Sequence, residues 1–178
     1  DVTDSNVATC FPPAVALAST WDPGVVEGVG AAIGEEARHA GVAVVLGPGV
    51  NLKRSIRCGR NFAYYSEDPL LSGRMGGAWV YGVQSKGIGS SLKHFAANNQ
   101  ETDRMRINVN VDPRTVHEMY LRSFRHVVRS ESPWNLMCAY NSLRGEFCSQ
   151  NYWLLTQVLR DDWGFDGMVV SDWGAVHD

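Results

Sequence analysis

Asp172 follows the apolar run Met168-Val169-Val170 and stands between Ser171 and Trp173. A carboxylate at the end of a buried strand can serve as a nucleophile, a base or a metal ligand. It can equally cap the next helix, since Asp is a preferred N-cap. The neighbouring Trp173 offers an aromatic face of the kind that suits a pyranose ring. Lys93 and His94 end a second apolar run, Ile88–Leu92. A desolvated lysine there can form a Schiff base, donate hydrogen bonds to ligand hydroxyls, or pair with a neighbouring carboxylate. Arg60 and Arg104 fall in loops that the pattern assigns to the same end of the sheet. Lone loop arginines are usually solvated, but several cations converging on one carboxylate would hold it ionised and bind hydroxyls with fixed geometry.

Other chemistries lack their residues. Gly87-Ile88-Gly89-Ser90-Ser91-Leu92 has no third glycine and precedes a strand, so it is no dinucleotide fingerprint. His117-Glu118 opens like a zinc helix, but Leu121 stands where the second histidine belongs. There is no phosphate-binding loop and no G-x-S-x-G elbow. No metal and no cofactor is therefore expected. Cys10, Cys58, Cys138 and Cys148 form no C-x-x-C pair; buried thiols are expected, with a Cys138–Cys148 bridge left open.

These residues need elements to position them. Asp22-Pro23, Asp68-Pro69 and Asp112-Pro113 each read as a helix start, Asp capping and Pro at the first helical position. After Asp22, Val26, Val29, Ile33, Ala37 and Ala40 mark one helical face, ended by Gly41. The helix after Asp68 is weakened by Gly73, Gly76 and Gly77, which permit tight packing. Val116, Tyr120, Phe124 and Val127 face inward after Asp112, and a fourth helix is expected to start near Asn151. Five strands are expected between them, at Ala14–Ala18, Val42–Leu46, Ile88–Phe95, Asn135–Ala139 and Met168–Val170. The continuous apolar runs suit strands covered on both faces. Alternation of strand and helix gives an α/β protein with a parallel sheet. Polar sequence gathered at the strands' carboxyl ends, as in Leu136–Ala139 running into Tyr140-Asn141, is the habit of a (β/α) barrel or a doubly wound sheet.

The 178 residues, 44% hydrophobic and 20% charged, exclude a disordered tail or a collagen-like fibre. A net charge of −3 without a Lys/Arg block gives no footprint for nucleic acid. No apolar run reaches the ~18 residues of a membrane span. Asp1-Val2-Thr3-Asp4 shows no signal peptide, which leaves the compartment open with a slight lean to the cytoplasm.

Several stretches resemble glycoside hydrolase family 3 β-glucosidases. They are Cys58-Gly59-Arg60-Asn61-Phe62-Ala63-Tyr64-Tyr65-Ser66-Glu67-Asp68-Pro69, Leu92-Lys93-His94-Phe95-Ala96-Ala97-Asn98, Met137-Cys138-Ala139-Tyr140-Asn141, and Gly164-Phe165-Asp166-Gly167 running on to Val170-Ser171-Asp172-Trp173-Gly174. Phe11-Pro12 through Trp21-Asp22-Pro23 is similar too. The resemblance implies that Asp172 is the nucleophile of a retaining β-glycosidase acting on a terminal non-reducing sugar through a covalent glycosyl-aspartate. It implies that Arg60, Lys93, His94 and Arg104 bind sugar hydroxyls, that Tyr140 lies by the reacting carbon, and that Trp173 lines the pocket. The substrate it implies is a β-glucoside or oligosaccharide. The same scaffold could serve a β-xylosidase, or a non-catalytic carbohydrate-binding fragment.

Departures from the family pattern qualify this. Its Asp-Gly-Pro motif is absent, and its β-glucosidases take the acid/base Glu from a second domain beyond the nucleophile. Asp178 lies six residues after Asp172. A whole barrel typically needs about 250 residues. The expectation is the middle of an incomplete (β/α)₈ barrel over residues 1–178, whose partners are the remaining barrel strands and a C-terminal domain. One branch, the β-N-acetylhexosaminidases, has a second histidine where this chain has Asn98, which disfavours that branch.

Overall fold

The structure is a computed structural model that describes residues 7–176; the signal-peptide expectation at residues 1–4 lies outside them. Its main sheet has four parallel strands, β1 (Val44–Val45), β2 (Gly89–Phe95), β4 (Asn135–Cys138) and β7 (Met168–Ser171), in the order β1-β2-β4-β7. Strand order follows chain order with no reversal. That is the single winding of a (β/α) barrel, not the switch point of a doubly wound sheet. The fold is an incomplete TIM-type barrel.

The Asp-Pro pairs cap as their chemistry requires. Asp22 accepts from the Gly24 amide at 2.8 Å to open α2 (Pro23–His39), Asp68 from Leu71 at 2.7 Å to open α3 (Pro69–Gln84), and Asp112 from Thr115 at 3.0 Å to open α4 (Pro113–Thr115). Asn151 accepts from Leu154 at 2.9 Å just ahead of a π-helix, Trp153–Asp162. The glycines of α3 do not break it. A Cβ on Gly82 would stand 2.2 Å from the Glu27 carbonyl oxygen, and one on Gly30 would stand 2.5 Å from that of Trp79. Helices α2 and α3 therefore touch backbone to backbone.

Three sequence expectations need correction. Ala14–Ala18 is a helix, α1, not a strand; it follows Pro13 and is alanine-rich, and an apolar run this short has no period to separate the two states. The main sheet thus holds four strands rather than five. The helix after Asp112 is not uniform: α4 passes into a π-helical turn, Val116–Tyr120, before α5 (Arg122–Glu131). The Leu121 amide donates to the Val116 carbonyl five residues back, at 2.9 Å, and Leu121 and Phe124 are both buried.

A second, small sheet was not foreseen. Its strands are β3 (Asn108–Val109), β5 (Ser142–Leu143) and β6 (Glu146–Phe147), in the order β3-β5-β6. Strands β5 and β6 form a hairpin whose two turn residues, Arg144 and Gly145, have φ of 55° and 98°. Two positive φ values suit the tight turn that matches strand twist. This sheet ties the loop after β2 to the chain leaving β4.

The core lies between β2, β4 and the helices. Phe95 meets the rings of Phe124 and Trp163 edge to face at 5.2 and 5.7 Å, around the fully buried Leu92, Leu136 and Leu159. Strands β2 and β4 are buried, whereas β1 and β7 at the two edges are only partly covered.

Candidate active site

Strand register brings the polar residues together. Phe95, Cys138 and Ser171 form one row across β2, β4 and β7. Lys93 and His94 precede that row by one or two residues; Tyr140 and Asp172 follow it at the same end of the sheet. The peptide bonds Lys93–His94 and Phe95–Ala96 are cis. Beyond β1 the chain continues beside β2, where Gly49 bridges both Lys93 and Tyr64. A Cβ on Gly49 would stand 2.7 Å from the Tyr64 ring, so glycine lets these two segments close up.

Asp172 is 8% exposed. One carboxylate oxygen, Oδ1, accepts from the Trp173 amide at 2.8 Å. Trp173 and Gly174 form a turn directly after it, and the Ala175 amide donates to the Asp172 carbonyl at 3.0 Å. Its Oδ2 faces His94 Nε2 at 3.6 Å, too long for a hydrogen bond. Burial, then the positive charges of Lys93, Arg60 and Arg104, press the His94 pKa down to about 2. The imidazole is therefore neutral, and its contact with Asp172 is no ion pair.

His94 is held on every side. Asn51 clamps its backbone, accepting from the amide at 2.8 Å and donating to the carbonyl at 2.9 Å. Arg60 Nη1 lies 3.2 Å from Nε2 and the Tyr64 hydroxyl 3.0 Å from Nδ1. A guanidinium cannot accept, so Nε2 is the acceptor and Nδ1–H donates to the Tyr64 oxygen. The Lys93 side chain makes no hydrogen bond or ion pair among the described residues, contrary to the reading that pairs it with a carboxylate. Burial lowers its pKa, Arg60 adds to this and Asp172 opposes it. An ammonium without a fixed partner, near a carboxylate, is free to donate to a ligand.

Arg104 reaches the site from the loop that the small sheet anchors. Its guanidinium lies 4.4 Å from the Tyr140 ring centroid. Tyr140 is directed at Asp172: burial and then the Asp172 charge raise its pKa, so it stays a phenol able to donate to that carboxylate. Trp173, next in the chain after the carboxylate, is 60% exposed. All seven residues singled out in the sequence thus lie at one end of the sheet.

Sequence reasoning missed four others: Asn51, Tyr64, Asn98 and Glu101. Glu101 accepts from Arg104 Nη1 at 2.8 Å, pairs with Arg60 Nε at 3.8 Å, and accepts from Asn98 Nδ2 at 3.2 Å. Asn98 also donates to the Tyr64 hydroxyl at 3.2 Å. The three-residue spacing of Asn98, Glu101 and Arg104 was the one available signal. Cys138 and Cys148 are free, and burial pushes both thiols up to about 12. No group of three or more His, Cys, Asp or Glu side chains that could hold a metal occurs among the described residues.

A sheet wound as a (β/α) barrel, with a buried carboxylate among cations and aromatic rings at the carboxyl ends of its strands, defines the class: a barrel protein with its polar site where such barrels carry chemistry. Residues 2–178 match the family model described as glycosyl hydrolase family 3 N terminal domain, and the chain belongs to that family. It is 56% identical, over its whole length, to an exo-alpha-(1->6)-L-arabinopyranosidase of Bifidobacterium longum and to a thermostable beta-glucosidase B of Acetivibrio thermocellus. It spans 24% of the length of each. The solved beta-glucosidase 3B of Thermotoga neapolitana, in complex with glucose, superimposes with a TM-score of 0.92 at 55% identity, over 93% of this chain and 23% of that one.

Proposed function

We propose that these residues carry the nucleophile and sugar-binding subsite of a retaining, exo-acting β-glucosidase. The observation that carries the reading is the setting of Asp172: a buried carboxylate with one oxygen fixed by a backbone amide and the other turned toward neutral His94 and the cations. Such a carboxylate can attack an anomeric carbon and form a glycosyl-aspartate. Lys93, Arg60 and Arg104 donate to the sugar's hydroxyls, His94 accepts from one at Nε2 in place of Arg60, Tyr140 donates to the nucleophile, and Trp173 packs on the ring. A retaining glycosidase needs a second carboxyl about 5–5.5 Å from the first. Glu101 is engaged by two arginines and an asparagine, so we assign the acid/base to a part of the protein outside this chain, in a further domain. Family membership leaves the Lys93 Schiff-base alternative without support.

A second reading has a specific observation behind it. The arabinopyranosidase relative is as similar as the β-glucosidase one. An α-L-arabinopyranoside shares the equatorial glycosidic bond of a β-D-glucopyranoside but lacks its exocyclic carbon and has the opposite configuration at C4, so the same nucleophile can serve both while the groups that meet the 4-hydroxyl discriminate between them. The test is the full-length protein assayed on nitrophenyl β-D-glucoside, β-D-xyloside and α-L-arabinopyranoside, with Asp172→Asn alongside. The glucoside is expected to have the highest kcat/KM, and Asp172→Asn is expected to lose at least about 10³-fold on every substrate. Preference for the arabinopyranoside favours the second reading. Turnover by Asp172→Asn above about a tenth of wild type removes Asp172 from the nucleophile role.

A further inference from the structure

The geometry points to Glu101 as the positioning residue that holds both site arginines and, through one of them, the protonation pattern of His94. This inference rests on the glycosidase reading above. Five side chains close a ring: Arg60 to His94 at 3.2 Å, His94 to Tyr64 at 3.0 Å, Tyr64 to Asn98 at 3.2 Å, Asn98 to Glu101 at 3.2 Å, and Glu101 back to Arg60 at 3.8 Å. Arg104 hangs from the same carboxylate at 2.8 Å. The members come from two stretches, the loop before α3 and the end of β2 with the loop that follows it; Arg60 and His94 are 34 residues apart in sequence.

Glu101 is the only anion in the ring. Arg60, Lys93 and Arg104 supply three positive charges around Asp172, and His94 stays neutral. Without Glu101, Arg60 and Arg104 repel each other, lose their common acceptor and recover the rotamer freedom of long side chains. Arg60 then no longer fixes Nε2 as the acceptor, and the His94–Tyr64–Asn98 chain is free to reverse its donors. Glu101 is only 22% exposed, and its bonds to Asn98 and Arg104 occupy both carboxylate oxygens. It does not touch Asp172 directly; it acts by aiming the groups that do the binding.

The role differs from simple structural support in being selective. If Glu101 aims two arginines at particular hydroxyls, replacing it weakens only interactions that pass through those hydroxyls. The experiment uses the full-length protein, Glu101→Gln, and a set of nitrophenyl β-glucosides each lacking one ring hydroxyl. With the intact glucoside, Glu101→Gln is expected to lower kcat/KM by about 10- to 100-fold, the scale of disrupting a hydrogen bond to a charged group. With at least one deoxy substrate the wild-type and variant enzymes are expected to converge to within about threefold. A double variant with Arg104→Met should lose far less than the two single losses multiplied.

Unchanged kinetics in Glu101→Gln, or the same fold-loss on every deoxy substrate, overturns the proposal. Should Glu101→Gln fail to fold, Glu101→Asp keeps the charge but withdraws it by one methylene. It should then give the same hydroxyl-selective loss, and a uniform loss overturns the proposal equally. The underlying reading fails separately, on the turnover of Asp172→Asn with Glu101 intact.

Discussion

Around Asp172 the decisive feature is a histidine kept neutral among neighbouring cations. Burial and the three neighbouring cations hold the His94 pKa near 2. In the unfolded chain the same imidazole takes a proton below about pH 6.5. The unfolded state therefore binds more protons between about pH 6.5 and 2, and native stability falls as the pH drops through that window, by up to about 1.4 kcal/mol per unit. Denaturant midpoints of wild type and His94→Asn across pH 4–7 should show a shallower slope in the variant. The same neutrality means that His94 contributes no limb to the pH–rate profile: His94→Asn should lower kcat/KM without changing the profile's shape, and loss of an acidic limb would contradict this. Lys93→Ala should harm both substrate affinity and kcat, since hydroxyl contacts strengthen as the ring distorts toward its oxocarbenium form. At this scale Asp172, Lys93, His94 and Tyr140 were legible because each sits at or near a strand's carboxyl end, where position alone narrows the choices. Asn51 and Tyr64 were not: their partner His94 lies across loops, 43 and 30 residues away, and no local pattern encodes such pairings. Glu101 left only its three-residue spacing to Asn98 and Arg104, which by itself does not mark a site.

Helix starts were the most readable elements, because an Asp-Pro pair carries its own mechanism: a side chain that caps and a residue that needs no amide partner. Strands β2, β4 and β7 were legible from apolar runs. Ala14–Ala18 was misread because five apolar residues fit either state, and the π turn at Val116–Tyr120 escaped because it keeps helical spacing on both sides. The hairpin β5–β6 left a trace in Arg144-Gly145, unread because the flanking strands have two residues each. Glycine's role in α3 was legible in outline and sharper in three dimensions. Gly82→Ala sets a methyl against the Glu27 backbone and should destabilise by about 1–3 kcal/mol. Gly28, on the same helix pair, faces open space: a Cβ there would meet nothing within 4 Å, so Gly28→Ala should be neutral or stabilise by up to about 1 kcal/mol. Chemical denaturation of the two variants side by side checks both signs.

At the scale of the molecule, four sequential parallel strands leave two edges, and a groove between α2 and β1 is lined by Phe11, Ile33, Ala37, Val42, Val44 and Leu46. Val42 and Leu46 are 40% and 45% exposed. Expressed alone, residues 1–178 should associate or aggregate, because unpaired strand edges and apolar grooves recruit partners. They should also hydrolyse cellobiose poorly, since protonation of a poor leaving group typically contributes 10²–10⁴-fold. Gel filtration beside assays on cellobiose and nitrophenyl β-glucoside tests both; robust cellobiose turnover by a monodisperse monomer would place an acid/base within these residues. The proposed chemistry turns on Asp172 forming the covalent bond to sugar. The decisive measurement treats the full-length protein with a 2-deoxy-2-fluoro-β-glucoside bearing a good leaving group, digests it, and sequences the labelled peptide by mass spectrometry. The sugar is expected on Asp172, in the peptide containing Ser171-Asp172-Trp173. A label on any other residue, or time-dependent inactivation that leaves Asp172 unmodified, would overturn the assignment of Asp172 as nucleophile.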